Sequence, residues 1–511
     1  MSEGSSKEKI VRKPRVFEAL LPIICMMGLM LYGFVGNSGY TDAHMPLIAS
    51  IVVACMVGRA CGHSFSDMLS GMLDRLNATM EAILILCTVG LLVASFIMSG
   101  TIPALIYYGL ELLTPKLFLP IGCILTAVVG LACGSSWTAT ATVGIAFLGI
   151  GAGLGINPAI TAGMIISGAY VGDKFSPLSD TTNLAAAVAE TGLFDHVTAM
   201  ATTTGPVFVI ALIMYTILGF NMDTSSYDPK VAVDMQEAIK GAFNINPLLL
   251  IPVLVVIAAC ILRMPGLSGI ALSVTVGVIF AVIFQGAGSL GNIFDTLHYG
   301  FSIETGNELA DKLLNRGGMD HQMWTINLIL LAVAYGGALE RCGCVEALFG
   351  ALKNKLNSVG SLITATLLTS IFCDATMCDQ FLGIGIPAPL YKEKYDEMGL
   401  SRNMLSRTLE DAGTLWAVMF PWTGCGAYQI GVLGVHSFAY FPFAFLNLIN
   451  PIFAGITAFM GRGIFWADGS YTSLLGKTVM RKKAAAPKEA DETALANLKR
   501  LREEKKAPSP V

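Results

Sequence analysis

Residues 168–185 read GAYVGDKFSPLSDTTNLA, and this stretch decides the fold class. Asp173, Lys174, Ser176, Ser179, Asp180, Thr181, Thr182 and Asn183 stand between apolar stretches. Pro177 removes a helical donor in their midst, so a helix entering the segment must break there. A broken helix offers loose carbonyls, hydroxyls and a carboxylate together, the hard-oxygen surroundings that a partly dehydrated Na+ needs. In a soluble protein the same residues would make a polar surface loop. What surrounds them separates the two readings.

The surroundings are a membrane. Of 511 residues, 54% are apolar and 13% charged, against roughly 25% charged in an ordinary soluble domain. Runs such as Phe17 to Val35, Ala82 to Met98, Val207 to Phe220, Leu248 to Leu262 and Phe443 to Met460 are candidates to cross about 30 Å of hydrocarbon. About eleven or twelve spans, some interrupted, can be counted, which predicts an all-α polytopic membrane protein. The first run follows Lys7, Lys9, Arg12, Lys13 and Arg15 and reads as an uncleaved helix. The next short connection, Gly36 to His44, holds no Lys or Arg, so the positive-inside rule puts the N-terminus in the cytoplasm of a cell with this protein in its inner membrane. The basic tail around Arg481, Lys482 and Lys483 puts the C-terminus there too. The net charge of −4 says little, because the charges gather in tails and loops. The twelve cysteines lie mostly in apolar runs without zinc spacing, Cys342 and Cys344 forming an isolated C-x-C. There is no H-E-x-x-H, no Walker loop and no convincing nucleophile and base, so neither an enzyme nor a cofactor is called for.

The chain repeats itself. IMSGTIPALIYYGLELL from Ile97 lies over LERCGCVEALFGALKNK from Leu339, with Gly100 on Gly343, a shift of 243 (343 − 100). The same shift sets Ser136 against Asp379. Repeat one is accordingly placed at residues 16–220 and repeat two at 245–461, with a linker over 221–244 and cytoplasmic tails at 1–15 and 462–511. Two inverted repeats with the cargo at their interface are a common plan for secondary transporters.

Each repeat carries two polar interruptions. In the first, GSSWTATATVG from Gly134, followed by the turn GLGINP from Gly153, suits a re-entrant hairpin that includes Ser135 and Ser136. A small-residue helix-packing face is the alternative. In the second, CDATMCDQFLGIGIPAP from Cys373 supplies Asp374, Asp379 and Gln380 at the matching hairpin, and LSRTLEDAGT with FPWTGCGAY supplies Glu410, Asp411 and Thr423 at a second broken helix. A carboxylate at the bilayer centre costs on the order of 2.5–3.5 kcal/mol, so several of them imply pairing, a wet cavity or a function. Lys174 beside Asp173, and Arg407 a turn before Glu410 and Asp411, are the pairing explanation. Acids outnumber bases in these segments, which favours a cation as cargo, with Asp173, Asp180, Asp374, Asp379, Glu410 and Asp411 as proton-coupling candidates.

At GSSWTATATVG, GDKFSPLSDTTNLA, CDQF, LSRTLEDAGT and PWTGCGAY the chain resembles the NhaC family of sodium/proton antiporters, a likeness that runs across residues 16 to 461. The resemblance implies Na+/H+ antiport, with paired hairpins and broken helices. Carried over position by position, it implies a Na+ site drawn from Asp180, Ser179, Thr182 and Asn183, from Ser135 and Ser136, and from Asp379 and Gln380, with Asp180 at its centre. The family commonly has Asn where Asp374 stands, Gly where Cys378 stands, Ser-Pro-Leu at Ala417 to Met419 and Asn at Thr423. Some similar proteins exchange malate for lactate, so small carboxylates are the alternative cargo. The partners expected are thus Na+ and H+, with lipid around the spans. No nucleic acid is expected, and a homodimer is compatible with the reading.

Overall fold

The chain is seen in a computed structural model that describes residues 11–35, 42–222, 229–262, 264–350, 356–480 and 496–500. Among these, eight helices are long and apolar enough to cross a membrane, or up to ten if each of two bent pairs is one span. Two further long helices, Pro158–Phe175 and Arg402–Ala417, are too polar to qualify, yet nearly every residue of each is buried. They run through the middle of the bundle, where apolar helices take the lipid contact and polar groups find partners in protein.

The quoted stretch shows how the first of these is seated. Gly168 and Gly172 lie one turn apart and press against the helix Pro115–Cys133. A Cβ on Gly168 would stand 2.4 Å from the Cys123 carbonyl, and one on Gly172 would stand 2.3 Å from that of Ala127. This small-xxx-small contact brings the two backbones together without side-chain spacers. It also carries Asp173 and Lys174, which follow directly, into the interior.

The repeat is visible in where helices start. They begin at Pro115 and Val359, Ser136 and Gln380, Pro158 and Arg402, Asp180 and Gly424, and Leu193 and Ser437; each pair is 244 residues apart (359 − 115). Gly100 and Gly343, 243 apart, are both left-handed and both precede a helix. The second half has thus gained one residue between Gly343 and Val359, and beyond that point the sequence-derived shift is one short. Ser135 therefore corresponds to Asp379, and Ser136 to Gln380.

Two polar segments carry more order than their composition suggests. Within 221–244, the helix Pro229–Ala242 buries Ala232, Met235 and Ile239. Gln236 of that helix donates to the Tyr107 carbonyl at 3.0 Å. Within 462–511, strands Ile464–Phe465, Ser470–Thr472 and Thr478–Met480 form a small antiparallel sheet. It docks beside the Arg402 helix through the Ser401 amide, which donates to the Phe465 carbonyl.

Candidate functional site

In the first half, Gly134 ends the helix Pro115–Cys133 in a left-handed conformation (φ +64°) that suits glycine. The Ser135 side chain then caps the next helix, accepting from the Thr138 amide at 3.2 Å. One residue on, the Ser136 amide donates to Asp173 Oδ2 at 3.1 Å. The hydroxyls of Ser136 and Ser179 lie on the same side of the bundle and act on this carboxylate. A carboxylate is thereby held inside the bundle by a helix start on one side and the broken helix on the other, as anion-binding helix termini do elsewhere. Two of the three threonines of TATATVG are otherwise engaged: Thr140 and Thr142 donate to the Ser136 and Thr138 carbonyls of their own helix, which passes through a π turn at Thr140–Gly144.

The break is stapled by its own side chains. Ser179 caps the helix Asp180–Val188, accepting from the Thr182 amide. The Thr182 hydroxyl donates to the Lys174 carbonyl at 3.3 Å. The Asn183 side-chain amide donates to the carbonyls of Pro177 at 3.0 Å and Ser179 at 2.8 Å, tying the break to the first turn of the new helix. Asp180 is exposed at the first turn, one and two turns before Leu184 and Val188, which line a cavity of about 840 Å³. That cavity also reaches Asp379 and is walled by the ion pair of Arg75 with Glu340.

The second half repeats the turn with different chemistry. Cys378 takes the left-handed place of Gly134 (φ +61°). Asp379 takes the capping place of Ser135 and accepts from the Phe381 amide at 2.7 Å. Gln380 Oε1 accepts from the Cys425 thiol at 3.0 Å, and Trp137 stacks on Tyr428, so each half's turn touches the second half's broken helix. Ala417 stands where Asp173 stands in the first half (417 − 173 = 244). Asp374 is fully buried, neither oxygen has a hydrogen-bond partner, and Oδ1 lies so close to Gly383 that a Cβ there would be 2.0 Å away.

Asp411 is the interior's charge hub. Lys174 Nζ donates to it at 2.8 Å, with both side chains fully buried. Thr203 donates to its two oxygens at 3.1 and 2.9 Å, and Asn450 donates at 2.8 Å. Arg407 Nε lies 3.6 Å away, while its Nη1 donates to the Gly463 carbonyl. Next to the hub, Glu410 accepts from Thr414 at 3.3 Å and faces His196.

The residues singled out from sequence therefore divide. Ser136 and Ser179 meet around Asp173, whereas Thr182 and Asn183 secure the break, Ser135 and Asp379 cap helices, and Asp180 faces the cavity side. Arg407 turns to Asp411, one of the two acids the pairing explanation gave it, whereas Lys174 turns to Asp411 and not to the neighbouring Asp173. Sequence reasoning passed over His196, Thr203 and Asn450. The available signal was weak: an amide in the apolar run FLNLINP, and a histidine on the buried side of a short helix. Among the described residues no three or more His, Cys, Asp or Glu side chains gather as a metal site. Any alkali cation would depend on hydroxyl and carbonyl oxygens as much as on acids.

A profile of the Na+/H+ antiporter family matches residues 168–462. The chain is 37% identical over 423 residues to the Na(+)/H(+) antiporter NhaC of Alkalihalophilus pseudofirmus, covering 83% of this chain and 91% of that one. It is 34% identical over 464 residues to the malate-2H(+)/Na(+)-lactate antiporter of Bacillus subtilis, covering 90% and 98%. It is also 34% identical over 460 residues to the arginine/ornithine antiporter ArcD of Halobacterium salinarum, covering 89% and 94%. The profile takes in more than half of the sequence and the relatives nearly all of it, so the chain belongs to the Na+/H+ antiporter family, in its NhaC branch.

Proposed function

We propose that this protein exchanges Na+ for H+ across the inner membrane, with Asp173 as the carboxylate that meets Na+ and the hydroxyls of Ser136 and Ser179 as its neighbours. The observation that carries the reading is the Asp173 cradle: one buried acid with no cationic partner among the described residues, held by the Ser136 amide, with the Ser136 and Ser179 hydroxyls beside it and a helix start and a broken helix on either side. A hydroxyl can rotate from donating to the carboxylate to presenting a lone pair to a cation, so the same cradle suits Na+ and its absence. Hard oxygens in this number suit a small cation that still shares some water.

The 244-residue repeat, read as inverted, supports alternating access with the cargo at the interface of the halves. Lys13 pairs with Glu346, and Arg75 with Glu340, at the cavity. The lining itself is acidic, with Glu340, Glu346, Asp379 and Glu393 against Arg75, which suits the approach of cations, and the basic Lys13 at its edge supports a cytoplasmic face with both termini on that side. Asp180, exposed beside this cavity, would then draw cations to its mouth.

Small carboxylates fit the interior less well. The buried cationic side chains among the described residues are Lys174, Arg402 and Arg407. Arg402 pairs with Asp396 and the other two share Asp411, while Asp173, Asp374, Asp379 and Glu410 are buried as well, so acids outnumber bases in the interior and an anion meets no surplus of positive charge.

The test is purified protein in proteoliposomes, with an imposed Na+ gradient and a pH-sensitive dye inside. Na+ alone should move protons; a response only when malate and lactate, or arginine, are supplied would overturn the Na+/H+ reading. No sustained conductance should accompany the exchange, as it would in a channel.

A further inference from the structure

The Asp173 cradle accounts for the cation and leaves open where the proton rides. Beside it, His196 of the helix Leu193–Met200 lies fully buried against Arg402–Ala417 of the second half. His196 Nδ1 lies 2.8 Å from the Ser406 oxygen, whose hydroxyl is also 3.2 Å from the Asn403 carbonyl. With the hydroxyl turned to that carbonyl, the hydrogen of a neutral imidazole sits on Nδ1 and the lone pair of Nε2 points the other way. It points at Glu410 Oε2, 3.7 Å distant, and neither atom has any other hydrogen-bond partner.

With Glu410 ionised and His196 neutral, two buried acceptors would face each other with no donor between them, which is costly. A single proton resolves the conflict, on Oε2 as O–H donating to nitrogen or on Nε2 as N–H donating to oxygen. In either form the pair is neutral overall. When the proton leaves, one negative charge remains in the interior. Lys174 and Arg407 against Asp411 sum to one positive charge, and an ionised Asp173 already balances it. Asp173, however, is within electrostatic reach of Glu410. A cation beside Asp173 would supply the missing positive charge, so the arrival of one Na+ and the departure of one H+ leave the charge of this cluster unchanged.

We infer that Glu410 and His196 form a proton site separate from the Na+ cradle and linked to it by charge. This rests on the antiport reading and differs from direct competition of Na+ and H+ for one carboxylate. The other ionisable groups on the elements packed around His196 are accounted for. From the Arg402 helix these are Arg402, paired with Asp396, and Arg407 and Asp411, paired with each other and with Lys174. From Pro158–Phe175 they are Lys174 and Asp173. From Asp180–Val188 there is the exposed Asp180, and from the histidine's own helix Asp195.

Na+ binding to the purified full chain, measured with 22Na between pH 6 and 9, tests the inference. In the wild type the half-saturating Na+ concentration should rise by up to about tenfold per unit fall in pH, the slope of one proton displaced per ion. The two substitutions should flatten that slope in opposite ways. Glu410→Gln mimics the proton-loaded pair and should bind weakly at every pH. His196→Gln offers Glu410 a permanent N–H donor and should bind with the high-pH affinity throughout. Retention of the full slope in both variants would place the proton on Asp173 itself and overturn the inference while leaving antiport standing. A wild type that binds no Na+ at any pH would overturn both.

Discussion

Residues 133–136 and 377–380 are the same piece of backbone built twice, and they differ in chemistry. Each ends a 19-residue helix in a left-handed residue and restarts with a side-chain cap. In the first half the turn is glycine and the cap is Ser135, which frees the amide of Ser136 for Asp173 across the gap. In the second half the cap is itself an acid, Asp379, and the position matching Asp173 is Ala417. The shared device is a helix start aimed inward. What it is aimed at has diverged, so one half holds a carboxylate in a cradle while the other spends its carboxylate on a cap and on the cavity wall. Symmetric architecture here supports an asymmetric site.

The comparison can be broken most forcefully at position 174, whose second-half counterpart is Val418 (418 − 174 = 244). Lys174→Met gives the first half a similar apolar residue and leaves Asp411 with the more distant Arg407 as its cationic partner, beside Thr203 and Asn450. Breaking a buried pair costs about 3–5 kcal/mol, so the variant should melt far below the wild type in detergent, monitored by size-exclusion or fluorescence melting. A wild-type melt would mean that the hub is not structural.

A smaller effect is expected at the left-handed residues. A Cβ at Gly134 would meet the Leu178 Cβ at 2.6 Å, and the backbone itself disfavours one, so Gly134→Ala should cost roughly 2–3 kcal/mol. Cys378→Gly relieves left-handed strain but loses a buried sulfur that packs near Met26, so its stability should change by less than about 1 kcal/mol in either direction. Equal losses in the two variants would show that the turns are not equivalent devices.

At the caps of the broken helices, Ser179→Ala removes a neighbour of Asp173 and should weaken Na+ roughly tenfold, the loss of about one charge-assisted hydrogen-bonding group. Thr423→Ala, the equivalent cap, should lower stability with no change in Na+ affinity, because it faces the Ala417 and Phe420 carbonyls. Asp180→Asn should have the smallest effect, about a two- to threefold rise in half-saturating Na+ that vanishes at high ionic strength, as expected of an exposed charge.

Much of this plan was legible in the sequence because it is written in breakers and periodicity. Pro177, the glycine turns and the polar interruptions located the broken segments, and the self-similarity located the repeat to within one residue. That last residue mattered, since it decided whether Ser135 or Ser136 answers to Asp379. Two other things were not legible. Direction was lost because Asp173 and Asp180 sit on either side of a helix break, and only the folded backbone shows that the first turns inward and the second outward. Long-range pairing was lost because His196 meets Glu410, and Lys174 meets Asp411, more than two hundred positions away. No local spacing rule reports such partners.

The central claim is that Asp173, rather than Asp180, meets the transported cation. The most direct measurement is Na+-driven proton movement in proteoliposomes carrying Asp173→Asn and Asp180→Asn side by side, with equal amounts of folded protein. The account predicts no Na+-dependent change in internal pH for Asp173→Asn and a response close to wild type for Asp180→Asn at high Na+. The opposite pattern, with Asp173→Asn transporting and Asp180→Asn inactive, would contradict it.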